Sequence, residues 1–399
     1  MNETIKMVHH NPKADQGQRT VFNQETAAVA SKYHESFPGY QPTPLAALRN
    51  LAASLGIAGM YVKDESFRFG LNAFKGLGGS YCLGKYIAGK LGEDISQVDF
   101  DKITSPQTRD QVGEITFVTA TDGNHGRGIA WTANMLGQKA VVYMPKGSVE
   151  ERLHNIRKFG AKAEITDMNY DDTVAFASKC AEENGWVLVQ DTAWEGYEEI
   201  PTWIMQGYTT LAMEAARQLG EVKPTHIFLQ AGVGAMSGAL AAFFADYYRE
   251  AKPVITIVEP NKADCIYQTA LADDGKLHVV DGDLHTIMAG LACGVPCTIG
   301  WNELNRYAEN FASIPDWVAA KGMRILGNPA GDDPRVISGE SGASTTGFVC
   351  EILQNASLEE LKKTIGLDEK SVVLCISTEG DTDKENYRSI VWDGKYPSC

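Results

Sequence analysis

Between about residues 115 and 190 the chain repeats one beat, in which a short apolar run is followed by a helical stretch and then another apolar run. The runs are E-I-T-F-V-T-A (114–120), K-A-V-V-Y-M (139–144), A-E-I-T (163–166) and W-V-L-V-Q (186–190), separated by the helical patterns 125–137, 149–160 and 173–185. Continuous apolar runs, unlike alternating ones, suit strands covered on both faces, and parallel neighbours need a crossover helix between them. The beat therefore predicts an α/β fold, with mainly parallel sheets and helices on both faces. Further runs at M-Y-V-K (60–63), H-I-F-L-Q (226–230), V-I-T-I-V-E (254–259) and V-V-L-C-I-S (372–377) point to a second sheet. A chain that leaves one sheet, builds another and returns forms two open twisted domains with a cleft between them. The expected division is 1–82 with 199–399 for the larger domain and 83–198 for the smaller. The stretch S-P-Q-T-R-D-Q-V-G-E (105–114) reads as a surface loop.

Composition removes several function classes. A formal net charge of -15 disfavours nucleic acid and anionic membrane as partners. No window approaches the roughly 18 apolar residues of a membrane span, and M-N-E-T-I-K-M-V-H-H has no apolar core of a signal peptide. The eight cysteines form no C-x-x-C pair, and their scatter reads as a reduced, cytoplasmic protein. Cys265 and Cys293 read as buried thiols rather than a pair. No metal site is expected, which leaves a small-molecule ligand.

Three stretches carry chemistry. In N-A-F-K-G-L-G-G-S-Y (72–81), Lys75 is the sole charge, followed by small residues that let a ligand come close. In Q-A-G-V-G-A-M-S-G (230–238), a glycine turn joins a strand to a helix, a natural cradle for a phosphate. In T-A-T-D-G-N-H-G-R-G (119–128), a polar turn again lies between strand and helix, where Thr121, Asp122, Gly123 and Asn124 face an anionic group or cap the helix. The glycine turn, with Glu259 at the end of the next strand, is also compatible with a nucleotide-dependent oxidoreductase. That reading leaves Lys75 and T-D-G-N-H-G unexplained. Pyridoxal 5'-phosphate accounts for all three, since it needs a lysine for its aldehyde, a glycine turn for its phosphate and polar donors for its ring and substrate.

With these residues in place, the sequence resembles the β-family (fold type II) pyridoxal-phosphate enzymes over nearly its whole length. The resemblance runs from P-T-P-L (42–45) through V-K-D-E-S, T-D-G-N-H-G-R-G, Q-D-T-A-W-E-G-Y, Q-A-G-V-G-A-M-S-G and S-G-E-S-G-A to I-S-T-E-G-D-T-D. It is strongest to the members that eliminate ammonia from 2,3-diaminopropionate. The resemblance implies that Lys75 forms the Schiff base and acts as base, and that Asn124 meets the ring hydroxyl. It implies that Gly232, Gly234, Ala235 and Met236 hold the phosphate, and that Ser377, or else Thr378, faces the pyridine nitrogen. A neutral hydroxyl there would leave the ring nitrogen unprotonated, which suits α,β-elimination better than transamination.

Asp122 stands where dehydratases of this family usually carry serine. Together with Asp191 it is implied to handle the second amine, or the α-proton of the D-isomer, with Thr121 and Gly123 beside the substrate. The nearest alternative is a serine/threonine dehydratase of the same fold. Family resemblance also implies a homodimer. Among neighbouring residues, Tyr170, Asp171 and Asp172 read as a helix cap and His125 as structural. Glu195 and Tyr197 read as scaffold or gate, and Glu340 and Ser341 as lying near the cofactor's edge.

Overall fold

A computed structural model describes residues 4–13, 19–121 and 123–398, apart from the side chain of Asp171. Among them are β1 (Lys6–His9), β2 (Leu45–Ala47), β3 (Gly59–Asp64), β4 (Thr116–Ala120), β5 (Lys139–Met144), β6 (Lys162–Ile165), β7 (Val187–Leu188), β8 (His226–Gln230), β9 (Val254–Pro260), β10 (Asn310–Ile314) and β11 (Val372–Ser377). One seven-stranded sheet has the order β1-β10-β9-β8-β11-β3-β2, and a four-stranded sheet has the order β6-β5-β4-β7. Only the edge pairs β1–β10 and β2–β3 are antiparallel. The α/β class and the parallel beat of 115–190 are thus as the sequence indicates.

Three strands lack the longer continuous apolar run that marks the others. β1 and β2 are short edges, and β10 reads N-F-A-S-I, with polar residues at buried positions. Their partners explain why burial is tolerated. Asn310 donates to Thr256 Oγ1 at 3.4 Å, and Ser313 Oγ donates to Asp264 Oδ2 at 2.7 Å. The stretch expected to be a loop contains a helix, Pro106–Val112, started by Ser105 Oγ accepting from Thr108 N with proline at the first helical position. The helix Tyr170–Asn184 is capped by Asn169, whose side chain accepts from Asp172 N at 2.9 Å, not by the three residues after it.

The chain forms two compact units, one of Met1–Gln24, Pro42–Ala73 and Leu211–Cys399, the other of Glu25–Gln41 and Phe74–Thr210. The helix Gly76–Leu91 falls in the smaller unit, although the sequence places most of its first turns with the larger. Gly78 and Gly207 are the cause, because a Cβ on Gly78 would lie 2.5 Å from Tyr208 Cε1, and one on Gly207 2.5 Å from Leu77 O. Bare glycines let two helices of the smaller unit meet at backbone distance.

In the larger unit the strings P-T-P-L and V-K-D-E-S-F-R become a buried ionic network. Lys63 Nζ donates to Thr43 O (2.7 Å), Glu214 Oε2 (2.7 Å) and Gln218 Oε1 (2.9 Å). Arg68 donates from Nε to Glu65 Oε2 at 2.8 Å, and from Nη1 and Nη2 to Glu214 at 2.8 and 2.7 Å. Thr43 Oγ1 donates to Glu65 Oε1 at 2.6 Å. Two cations meet two carboxylates, so the cluster is neutral and its polar atoms are engaged.

Candidate active site

Lys75 precedes the first turn of the helix Gly76–Leu91 in the smaller unit. Its Nζ donates to Asp191 Oδ2 at 2.5 Å and lies 5.3 and 5.7 Å from the centres of the Phe74 and Tyr208 rings. The pair keeps some access, with the side chains of Lys75 and Asp191 23% and 15% exposed. Backbone placement of the lysine depends on Gly128, where a Cβ would lie 3.0 Å from the carbonyl carbon and oxygen of Lys75.

Asp191 follows β7 in a loop held from both ends. Gln190 Oε1 accepts from Thr119 Oγ1 at 2.9 Å, and its Nε2 donates to Ala120 O at 2.8 Å and to Tyr170 OH at 3.0 Å. Tyr197 OH accepts from Gln190 N at 2.8 Å and donates to Leu188 O at 2.9 Å, which makes Tyr197 part of the scaffold. His125 Nε2 is bound to Val189 O at 2.8 Å, and its Nδ1 lies 3.6 Å from Asp191 Oδ2. The histidine is thus structural and also an electrostatic neighbour of the acid. Burial opposes ionisation of Asp191, but His125 and the Lys75 ammonium outweigh it and hold the carboxyl well below the usual range. An aspartate so held is a counter-ion, not a proton donor.

The helix Asn124–Met135 begins at Gly123, which contributes no side-chain cap of its own. Thr121 Oγ1 accepts from Gly123 N at 3.1 Å, and the side chain of Arg152 lies against Gly123, whose Cβ would be 3.1 Å from Arg152 Cδ. Asp122 lies outside the described residues. Gln190 opens the quoted string Q-D-T-A-W-E-G-Y, but its contacts with Thr119 and Ala120 are not visible there. Arg152 and Tyr208 likewise come beside Gly123 and Lys75 through packing over long chain separations.

In the larger unit, Gly234 adopts φ +90° immediately before the helix Ala235–Tyr247, which also starts without a side-chain cap. At Gly232 a Cβ would lie 3.2 Å from Leu291 Cα, so the turn accepts no larger residue without movement. An uncapped helix N-terminus behind a glycine turn fits a phosphate. Glu259 is not placed to bind a ribose. Its two carboxyl oxygens accept from Ile266 N (2.9 Å) and Tyr267 N (2.6 Å), and burial pushes its carboxyl well up. Ser377 Oγ bonds to Ser338 Oγ at 2.8 Å, whereas Thr378 Oγ1 accepts from Gln230 Nε2 at 2.9 Å. Cys265 is a buried thiol. No helix among the described residues is long and apolar enough to cross a membrane.

Residues 36–378 match the family model of the pyridoxal-phosphate dependent enzymes. Diaminopropionate ammonia-lyase of Salmonella typhimurium is 49% identical over 99% of this chain and 100% of its own. The structure of diaminopropionate ammonia lyase from Escherichia coli in complex with D-serine superposes with a TM-score of 0.91 at 48% identity, covering 99% of this chain and 98% of that one. The same enzyme in complex with an aminoacrylate-PLP azomethine reaction intermediate gives 0.89 at 48% identity, covering 98% of each chain.

Proposed function

The chain belongs to the pyridoxal-phosphate dependent enzymes, and from that premise we propose that it removes ammonia from 2,3-diaminopropionate, yielding pyruvate and two ammonia. The observation that carries this reading is the Lys75–Asp191 pair, a partly accessible ammonium held by an acid that His125 and the lysine itself keep well below the usual carboxylate range. Bound pyridoxal phosphate supplies the electron sink that makes the α-hydrogen acidic. Gly232, Gly234, Ala235 and Met236 would hold its phosphate with backbone N–H groups, Asn124 would serve its ring hydroxyl, and Ser377, with Thr378 as alternate, would serve its ring nitrogen.

The remaining work falls to the chain's own side chains. Lys75 takes the α-proton of the L-isomer at Nζ. Asp122 takes that of the D-isomer. The backbone of Thr121 and Gly123 receives the substrate carboxylate. Asp191, ionised and 2.5 Å from a cation, is suited to hold the substrate's second ammonium, which departs as ammonia with the electron pair of its C–N bond. The released 2-aminoacrylate takes up one water and gives pyruvate and the second ammonia. We further read the protein as a cytoplasmic homodimer, checked by light scattering of the purified protein.

The deciding assay incubates the cofactor-loaded protein with each isomer of 2,3-diaminopropionate, with serine and with threonine, and records ammonia per keto acid. Two ammonia per pyruvate from diaminopropionate, with the hydroxy amino acids slow, is expected. One ammonia per keto acid from serine or threonine alone would make it a dehydratase.

A further inference from the structure

Tyr208 is the group beside Lys75 that the reaction above leaves unused. It lies on the helix Glu199–Leu219, is fully buried, and its hydroxyl has no partner of good hydrogen-bond geometry among the described residues, the Lys75 amine being the charge that acts on it most strongly. Its placement is specific. The ring packs on Phe74 at 4.7 Å between centroids and rests on Gly78, where a Cβ would come within 2.5 Å of Cε1 and 2.9 Å of Cζ. Gly207, next to it, brings the two helices together. A phenylalanine would fill the same space without a stranded hydroxyl, and a buried polar group without a partner is destabilising. The position therefore has a reason beyond packing, and the amine of Lys75, 5.7 Å from the ring centre, is the reactive group next to it.

We propose that Tyr208 is a positioning residue for Lys75, its hydroxyl holding the amine once Asp191 has turned to the substrate's second ammonium. This rests on the roles proposed above for Lys75 and Asp191. Asp191 is ionised and can only accept hydrogen bonds, so it offers no donor to the lone pair of the neutral amine. A phenol both donates and accepts, and therefore serves an amine that alternates between neutral and protonated forms. Burial keeps the hydroxyl neutral, against the opposing pull of the Lys75 charge, so it adds no second anion. The other titratable groups acting on it within the smaller unit are Asp191 and Cys82, while His125 and Tyr197 neighbour Asp191.

The test is Tyr208→Phe, which keeps the ring and removes only the hydroxyl. In the cofactor-free protein carrying Asp191→Asn, where the carboxylate no longer holds the amine, Lys75 is acetylated with trace acetic anhydride across pH with and without Tyr208→Phe, and the labelling midpoint is read by peptide mass spectrometry with the exposed Lys179 as reference. Loss of an acceptor for the ammonium is expected to lower the Lys75 midpoint by about half a unit or more while Lys179 stays fixed. In the holoenzyme, kcat for L-2,3-diaminopropionate is expected to fall about tenfold with KM nearly unchanged. An unchanged Lys75 midpoint overturns the proposal whether or not kcat falls, because Tyr208 would then act as packing. If the wild-type protein instead fails to turn over diaminopropionate, the substrate reading fails while the labelling still decides the Tyr208–Lys75 contact.

Discussion

Two lysines twelve positions apart in the chain show how tertiary surroundings divide one side chain between structure and chemistry. Lys63, in the larger unit, has no exposed surface and three acceptors around its ammonium. Lys75, in the smaller unit, has a carboxylate acceptor in Asp191 and two aromatic rings, and stays 23% exposed. Each forms a close ion pair, so pairing is not what distinguishes them. Saturation is. An ammonium whose three donors are all engaged in the interior cannot leave without stranding buried carboxylates. One held by a partly accessible acid can exchange that partner for a ligand.

The comparison breaks most sharply at Lys75. Lys75→Ala should abolish pyruvate formation from diaminopropionate by about a thousandfold or more while the thermal midpoint hardly moves. Residual turnover within tenfold of wild type would remove the lysine from the mechanism. Lys63→Met should do the reverse. Leaving Glu214 short of one cation is expected to destabilise the fold by about 3–5 kcal/mol, read from urea unfolding, with turnover per folded molecule retained.

The neutral cluster can be set against a buried acid that lacks a cation. Glu340 accepts from Asn386 Nδ2 at 2.5 Å, and burial, helped by the neighbouring Glu379 and Asp383, pushes its carboxyl up to about 7. Between pH 4.5 and about 7 the folded protein thus holds a proton that the unfolded chain has lost, so stability falls as pH rises through that window. Glu340→Gln should flatten this slope and, above pH 7, raise stability by up to about 3 kcal/mol in unfolding titrations. Wild-type stability that rises across that window would refute the assignment. The smallest expected effect is at Gly128. Gly128→Ala places a methyl 3.0 Å from the Lys75 carbonyl, and backbone cannot swing aside as a side chain can. A loss of about 1–3 kcal/mol is expected from overpacking, with a severalfold drop in kcat from the displaced lysine. A variant as active and stable as wild type would show that the lysine's backbone has room to move.

Much of this was legible in the residues. The strand–helix beat placed β4, β5, β8 and β11 within two residues of where they lie, and N-A-F-K-G and Q-A-G-V-G-A-M-S-G pointed to Lys75 and to the glycine turn at Gly234 on which the proposed function rests. Other assignments failed where polar residues were matched by distant partners. β10 was hidden because Asn310 and Ser313 are satisfied by Thr256 and Asp264, and Glu259 resembled a ribose ligand until its oxygens were found on the N–H groups of Ile266 and Tyr267. The V-K-D-E-S-F-R string, quoted as a family signature, carries a structural network and no chemistry of its own.

By itself, then, the sequence determined what short-range forces determine. Periodicity set the parallel sheets, glycine spacing the tight turn before the helix Ala235–Tyr247, and a lone lysine in an uncharged stretch the amine proposed to react. Only the tertiary structure decided which lysine is saturated and which exchangeable, that Asp191 is held ionised by His125 and Lys75, and that a buried tyrosine hydroxyl stands beside the amine. The physical reason is separation along the chain. A turn or a strand is fixed by its neighbours in sequence, whereas the 116 positions between Lys75 and Asp191 are closed only by packing, and the charge state of each partner follows from that closure.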